Sequence, residues 1–354
     1  MSYEPTRRLA IYAEGAFGRG RSKTADGVIR YGKYPIVGVI DSTQAGKTAD
    51  EVIGWGKGIP VLADIDAALA AKPGALLIGI APPGGKLPAA WRADILKALR
   101  AGVDIINGLH ETFNTDAEFA QAAKAHGARI WDVREPAREY GIANGRAAAI
   151  THAQVLLTVG TDCALGKMTL LLEMQPLLAQ SGRKPIFLAT GQTGIMISGF
   201  GEPIDRVIGD FAAGAAEQLV VEHAPGHDLL LVEGQGSLIH PGFSGVTLAL
   251  LHGSAPSHLI LCHDTSRTCV RDSSVLIPPL SEMAKLYEHM AATIRPAKVV
   301  GIGLKTVGLS DEEARKACRA AEDETGLPAT DPIRFGVENL VAAVNKAWGH
   351  PRKA

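Results

Sequence analysis

The residues best placed to do chemistry in this chain lie between Gly160 and Thr169, which read G-T-D-C-A-L-G-K-M-T. An apolar run from Val155 to Val159 precedes them, and a helical pattern begins at Lys167. Small residues let backbone N–H groups turn inward, and the N-terminus of a helix adds partial positive charge. The pattern therefore predicts a phosphate-binding loop, and the residues expected to hold the bound cofactor are Gly160, Thr161, Asp162, Cys163, Ala164, Leu165, Gly166, Lys167, Met168 and Thr169.

One position departs from the loop of enzymes that hydrolyse nucleotides. There, a Ser or Thr follows the lysine, and its hydroxyl holds Mg²⁺. Here Met168 follows Lys167, and the hydroxyl comes one residue later, at Thr169. One residue is about 100° of rotation on a helix, so Thr169 cannot simply replace the missing ligand. We therefore predict an intact phosphate cradle that needs no metal.

A second group of polar residues follows another apolar run. Four apolar residues after Asp228 end in Glu233, and the chain continues as G-Q-G-S-L-I-H to His240. An acid at the end of a buried strand is typical of nucleotide-binding folds, where it faces the phosphates or their metal. Glu233 and His240 are the candidate acid–base residues, and Gln235 is a candidate substrate ligand.

Other polar loops also follow predicted strands. Cys262–Arg271 contains Arg267 and Arg271, which suit a carboxylate or a phosphate because a guanidinium is planar and always charged. Arg334, in the loop 331–336, is a candidate for the same reason. Taken singly, each of these arginines is more readily read as an ordinary surface residue. The glycine-rich stretch 190–201 is predicted to be a mobile binding loop, and its Gln192 to bind substrate. His110, in I-N-G-L-H, is either ligand-facing or a structural loop histidine.

The first half of the chain alternates short apolar runs with helical patterns, which predicts a parallel sheet covered on both faces. The predicted strands are Leu9–Ala13, Ile36–Ile40, Leu76–Ile80, Asp104–Ile106 and Arg129–Trp131. This is the pattern of a Rossmann-like domain. Its first turn, 14–20, lacks GxGxxG spacing, so nicotinamide binding is disfavoured even though Asp41 ends the second strand. The loops 81–86 and 107–110 also follow strands and are expected at the ligand-binding edge.

The second half repeats the alternation around the phosphate loop. Strands are predicted at Pro185–Ala189, His258–Cys262 and Lys298–Ile302, with helices at Asp210–Glu222, Ser281–Ile294, Asp311–Thr325 and Gly336–Trp348. Residues 133–150 lack an apolar period. We therefore expect a Rossmann-like N-terminal domain at 1–140, followed by a P-loop NTPase-like α/β domain at 141–354.

Composition limits the class of partner. The 354 residues carry a formal net charge of −1 with no large basic stretch, which argues against nucleic acid or an anionic membrane as a partner. No apolar run approaches the roughly 20 residues that span a bilayer, and the start lacks a signal-peptide core. The 4 cysteines have no CxxC spacing, so reduced thiols in the cytoplasm are expected rather than disulfides or zinc.

Four segments together resemble a known family. These are G-T-D-C-A-L-G-K-M-T, L-V-E-G-Q-G-S-L-I-H-P, I-A-P-P-G-G-K-L-P and I-N-G-L-H, and they resemble the D-glutamate N-acetyltransferase (DgcN) family over nearly the whole chain. The resemblance implies acetyl transfer from acetyl-CoA to the amino group of an amino acid, D-glutamate, in D-amino-acid catabolism. We further expect the chain to form a homo-oligomer and to bind a small-molecule substrate, an amino acid, rather than nucleic acid or a membrane.

The physical reading is compatible with that expectation. Coenzyme A carries a 3′-phosphate and a pyrophosphate, which a glycine-rich helix N-terminus would hold without magnesium. Two alternatives stay open. The loop G-T-D-x-x-x-G-K is also similar to that of dethiobiotin synthetase, which would make the chain an ATP-dependent kinase or ligase. A non-catalytic protein that binds coenzyme A or a nucleotide is the other.

Overall fold

The computed structural model describes residues 6–18, 20, 22–80 and 85–348, arranged as two compact units. The first unit extends to Ala137 and also includes Gln192–Pro203; the second comprises Arg138–Gly191 and the chain from Ile204 onwards. Each unit is built on one parallel sheet of 6 strands. In the described part of the chain, no helix is long and apolar enough to cross a membrane.

The first unit alternates strands and helices as the apolar periods predict. Its elements are β1 (Leu9–Tyr12), α1 (Lys23–Tyr31), β2 (Ile36–Ile40), α2 (Ala49–Ile53), β3 (Val61–Leu62), α3 (Ile65–Ala70), β4 (Ala75–Ile78), α4 (Arg92–Arg100), β5 (Asp104–Asn107), α5 (Ala117–His126) and β6 (Ile130–Asp132). The strand order is β3-β2-β1-β4-β5-β6, the order of a Rossmann sheet. The central strands are fully buried because helices cover both faces of such a sheet.

The second unit follows the same principle. Along the chain come β7 (Gln154–Gly160), α6 (Lys167–Gln180), β8 (Pro185–Leu188), α7 (Gln192–Ser198, which belongs to the first unit), α8 (Gly209–His223), β9 (Leu229–Val232), α9 (Ser244–Ser254), β10 (His258–Asp264), α10 (Leu280–Ala292), β11 (Lys298–Lys305), α11 (Asp311–Thr325), β12 (Ala329–Thr330) and α12 (Glu338–Trp348). The sheet order is β12-β11-β10-β7-β9-β8, so β7 and its phosphate loop lie in the middle. The predicted fold class is confirmed.

One stretch differs from its prediction. Residues 190–201 were expected to form a mobile binding loop, but Gln192–Ser198 is a helix whose Ile195, Met196 and Ile197 are buried. Helix α7 contributes these side chains to the core of the first unit, where the Tyr34 hydroxyl donates to the carbonyl oxygen of Met196. Glycine content suggested mobility, and tertiary packing overrode that local preference.

The residues of the second unit that flank the α7 segment, Thr190 and Ile204, are neighbours in space. The backbone N–H of Ile204 donates to the carbonyl oxygen of Thr190 across 3.0 Å. The segment 192–203 is thus an insertion whose two ends are adjacent. Inserted segments of this kind are tolerated because the host fold loses none of its own strands.

Candidate active site

The phosphate loop connects the end of β7 to the start of α6 at the carboxyl edge of the second sheet. Gly160 is the last residue of β7 and Lys167 the first of α6, as predicted. The turn between them requires positive φ at Ala164 (+56°) and at Gly166 (+91°), which turns the loop back before the helix begins. Ligands of open α/β sheets bind at this edge, so the geometry agrees with a phosphate cradle.

Lys167 is the basic residue of the phosphate loop, and it is buried, with 6% of its surface exposed. Its Nζ donates to the carbonyl oxygen of Asp162 at 2.7 Å and to that of Gly236 at 2.9 Å. The ammonium therefore ties the phosphate loop to the loop after β9. The loop after β9 lies close to β7 because position 234 is glycine: a Cβ there would overlap the carbonyl oxygen of Thr158 on β7.

Asp162 is fully buried and anchors the loop after β10. Its Oδ2 accepts from the Arg267 guanidinium and from the backbone N–H of Arg271 (2.8 Å), and its Oδ1 accepts from the N–H of Cys163. The Arg267 guanidinium also donates to the carbonyl oxygen of Cys163 at 2.8 Å. Arg267 is thus built into the phosphate loop, whereas the side chain of Arg271 is 61% exposed.

Two residues that the sequence analysis did not single out hold the start of the loop. The Tyr287 hydroxyl donates to the carbonyl oxygen of Gly160 (2.7 Å) and accepts from the N–H of Leu238 (3.1 Å). Thr161 Oγ1 lies 2.9 Å from His263 Nδ1, and burial lowers the pKa of this histidine. Tyr287 lies in the amphipathic helix α10, whose sequence contains no recognisable motif, so the sequence gives no sign that its hydroxyl contacts the phosphate loop. His263 lies at the polar end of β10, a signal that could have identified it.

Glu233 and Gln235 meet the loop after β8. Glu233 Oε2 accepts from the backbone N–H groups of Thr190 (3.0 Å) and Gly191 (3.2 Å). Gln235 Nε2 donates to the carbonyl oxygen of Thr190 at 2.6 Å. The Glu233 carboxylate and the Gln235 amide therefore lie side by side at the edge where β8 and β9 end.

His240 has a defined tautomer. Its Nδ1 accepts from the backbone N–H of Gly242 at 3.0 Å, so the proton of the neutral ring resides on Nε2. Nε2 lies 3.9 Å from Asp162 Oδ1, which is too long for a hydrogen bond. The ring is 9% exposed and packs against Phe243 with 4.4 Å between ring centroids. Its imidazole offers no ring nitrogen with an uncommitted lone pair.

The same tautomer bears on metal binding. Asp162, Cys163 and His240 place one oxygen, sulfur or nitrogen atom each within 4.8 Å of one another. A histidine that ligates through Nε2 ordinarily donates its Nδ1–H to a carbonyl or carboxylate. Here Nδ1 faces an N–H donor, so this set fits a cation poorly. Met168, in the position of the usual magnesium hydroxyl, is 5% exposed and part of the core.

The remaining two predicted substrate residues, Gln192 and His110, lie in the first unit. Gln192 begins α7, and its Cγ packs against Gly108 in the loop after β5, two residues before His110. The loop itself is held by Asp132, which accepts from the Asn107 side chain at 2.7 Å and from the N–H of Phe113 at 2.9 Å. Gln192 therefore lies next to the loop that contains His110. The other predicted site residues belong to the second unit.

Asp41, the acid considered for ribose binding in the first unit, accepts hydrogen bonds from neighbouring residues of its own unit. Asp41 is fully buried; its Oδ2 accepts from the N–H of Phe17 and its Oδ1 from the N–H and hydroxyl of Thr43. It fastens the turn after β1 to the end of β2, so both of its carboxylate oxygens serve the fold. Residues 81–84 of the proline-rich loop and Arg19 of the first turn lie outside the described residues.

Comparison with known proteins agrees with this architecture. The DUF1611 C-terminal model, described as a P-loop domain of unknown function, matches residues 141–341, and the DUF1611 N-terminal model, described as Rossmann-like, matches 42–136. A crystal structure of a DUF1611 family protein from Anabaena variabilis shares 40% identity with a TM-score of 0.92, covering 96% of this chain and 100% of that one.

Two curated relatives carry a functional name. A protein from Tritonibacter scottomollicae named D-glutamate N-acetyltransferase is 41% identical over 282 residues, which is 79% of this chain and 84% of the relative. One from a Pseudoalteromonas species with the same name is 38% identical over 277 residues, 77% of this chain and 82% of the relative.

Proposed function

This chain belongs to the DUF1611 family, and we propose that it is an acyltransferase that moves the acetyl group of acetyl-CoA to the amino group of D-glutamate. The observation that carries the proposal is the shared name of two relatives that align with more than three quarters of the chain. The family resemblance drawn from the sequence motifs is thereby confirmed. The fold alone would not support the function, because P-loop domains serve many reactions.

The phosphate loop is proposed to hold the phosphates of the donor. Its N–H groups and the α6 N-terminus suit an anion, and Lys167 supplies a buried positive charge at the loop's centre. A bound phosphate would compete with the Asp162 and Gly236 carbonyl oxygens for Nζ. Coenzyme A needs no magnesium for this contact, which agrees with the burial of Met168 at the position of the metal-binding hydroxyl.

Glu233 is the better of the two candidates for the general base. Acetyl transfer requires a group that removes a proton from the attacking amine. His240 would have to give up its bond from Gly242 before Nδ1 could accept a proton. Glu233 accepts its two backbone N–H groups through Oε2. A carboxylate has about four lone-pair sites on its two oxygens, so it can take a proton without giving up these bonds.

The acceptor carries two carboxylates, which planar guanidinium and amide donors recognise well. Arg271, with its exposed side chain, and Gln235 are proposed substrate ligands from the second unit, and Arg267 would act from its place in the loop. Gln192 and His110, which lie in the first unit, stay predicted substrate residues. Backbone N–H groups of the glycine loops are proposed to stabilise the thioester oxyanion.

The direct test is to incubate the purified protein with acetyl-CoA and D-glutamate and to detect N-acetylglutamate by mass spectrometry. L-Glutamate is the matched control for the acceptor, and EDTA is added to test for a metal. We expect product with the D-isomer, undiminished by EDTA. Release of ADP from ATP and Mg²⁺, with no acetylated product from acetyl-CoA, would favour a kinase or ligase instead. Binding without any turnover would indicate a non-catalytic role.

A further inference from the structure

A cavity of about 350 Å³, distinct from the candidate active site, lies at the edge of the second sheet. Its volume is within the range of small-ligand pockets, roughly 300–1,000 Å³. Its walls come from α11, the edge strand β12, the turn that follows and the first turn of α12, namely Arg315, Cys318, Arg319, Ala329, Thr330, Phe335, Glu338 and Asn339. No residue of the phosphate loop or of the loops after β9 and β10 contributes to it.

The three charged side chains of the lining, Arg315, Arg319 and Glu338, are exposed to solvent at the mouth of the cavity. Within the described residues, neither Arg315 nor Arg319 has a carboxylate at ion-pair distance, and Glu338 has no cation at that distance. Arg315 is oriented by Phe335, because its guanidinium carbon lies 4.1 Å from the ring centroid. A stacked guanidinium keeps its N–H edge available for a planar anion.

The uncharged part of the lining is also defined. The Asn339 amide donates to the carbonyl oxygen of Ala329, and the Thr330 hydroxyl donates to that of Gly336, so both polar side chains are used to hold the wall. Cys318, Ala329 and the ring of Phe335 provide apolar surface between the charges. A ligand that fits would therefore place charged groups on Arg315, Arg319 and Glu338 and a short hydrocarbon part between them.

We propose that this cavity is a binding site for an acidic amino acid. The class follows from charge complementarity: two guanidiniums match two carboxylates, and one carboxylate matches one ammonium group. β12 is three strands from β7, which is about 14 Å at the usual spacing of strands, so the site is separate from the phosphate loop. Glutamate has the two carboxylates, the ammonium and the short aliphatic chain that the lining requires.

A local fluorescent reporter tests the proposal. In a Phe335→Trp protein, which keeps an aromatic ring under Arg315, D- or L-glutamate should change the tryptophan fluorescence in a saturable way. Adding Arg319→Gln should weaken this binding at least about tenfold, the loss of one charge-assisted contact. Lys316→Gln, on the same helix but outside the cavity, should leave it unchanged. No saturable signal, or the same midpoint for both variants, would overturn the assignment.

Glutarate, which lacks the ammonium group, tests the role of Glu338. Glu338→Gln should weaken the binding of glutamate and leave that of glutarate unchanged or stronger. Equal weakening of both ligands would contradict the proposed pairing of Glu338 with an ammonium. The assay contains no acetyl donor, so its result does not depend on whether the protein transfers acetyl groups.

Discussion

At the scale of single residues, Lys167 is the side chain on which the proposed donor site depends. Replacing Lys167 by Ala should raise KM for acetyl-CoA about 10- to 100-fold, since a charge-assisted phosphate contact contributes about 1.5–3 kcal/mol. Its Nζ also satisfies two loop carbonyls, so part of the loss would come from a looser loop. Steady-state kinetics at varied acetyl-CoA measure the effect, with Lys316→Ala as the surface control. An unchanged KM would mean that the loop does not hold the coenzyme.

Cys163 raises the question of a covalent route. It lies in the phosphate loop just before a helix N-terminus, and a cysteine in such a place could act as a nucleophile that forms an acetyl-cysteine. However, the pantetheine arm of coenzyme A reaches roughly 15–20 Å, which carries the thioester away from the phosphates. We therefore expect Cys163→Ser to retain most of its activity and the kinetics to show a ternary complex. An acetylated Cys163 peptide together with an inactive serine variant would establish the covalent route instead.

The choice of base is also decided by single side chains. Glu233→Gln preserves the acceptor for the N–H groups of Thr190 and Gly191 but removes the proton acceptor, so kcat should fall about 100-fold or more. His240→Asn keeps an acceptor for the Gly242 N–H, and its kcat should fall less than about tenfold. Single-turnover rates compare the two variants. A larger loss in His240→Asn would reverse the assignment.

At the scale of elements, loops at the carboxyl edges depend on buried carboxylates. Asp132, at the end of β6, accepts from the side chains of Asn107 and Asn114 and from the N–H groups of Phe113 and Asn114. Asp132→Ala would leave these donors without their acceptor, which should lower the free energy of unfolding by about 3 kcal/mol or more. Chemical denaturation measures this, with exposed Glu135→Ala as a control. A loss below about 1 kcal/mol would show that other groups hold the loop.

The elements also show what could be predicted from sequence. Most strands and the longer amphipathic helices were predictable because their apolar periods match their burial, as for the strand Ile36–Ile40 and the helix Asp311–Thr325, which were predicted to the residue. Helix α7 was not, because its burial depends on α1 and on the loop after β5 rather than on its own glycine-rich sequence. The phosphate loop was predictable from local spacing. The contacts of Tyr287 and the tautomer of His240 required tertiary structure, since their partners are distant or conformational.

At the scale of the whole molecule, the insertion predicts which fragments fold. Residues 138–348 alone would expose Ile195, Met196 and Ile197, which are buried in the first unit, and should aggregate. Replacing 192–203 by a short glycine linker should give a soluble fragment, because Thr190 and Ile204 are already hydrogen-bonded neighbours. Size-exclusion chromatography compares the two fragments. Aggregation of both would show that the second unit needs more than this segment. The predicted homo-oligomer stays a prediction that the same measurement on the full chain addresses.

The insertion also constrains the order of events during synthesis. All six strands of the first sheet have left the ribosome once Asp132 has emerged, yet α7 is translated only after β7, α6 and β8. Until then, the surface of α1 and Gly108 that α7 will cover is exposed to water. The first unit therefore cannot complete its core until α7, which lies in the C-terminal half of the chain, has been synthesised.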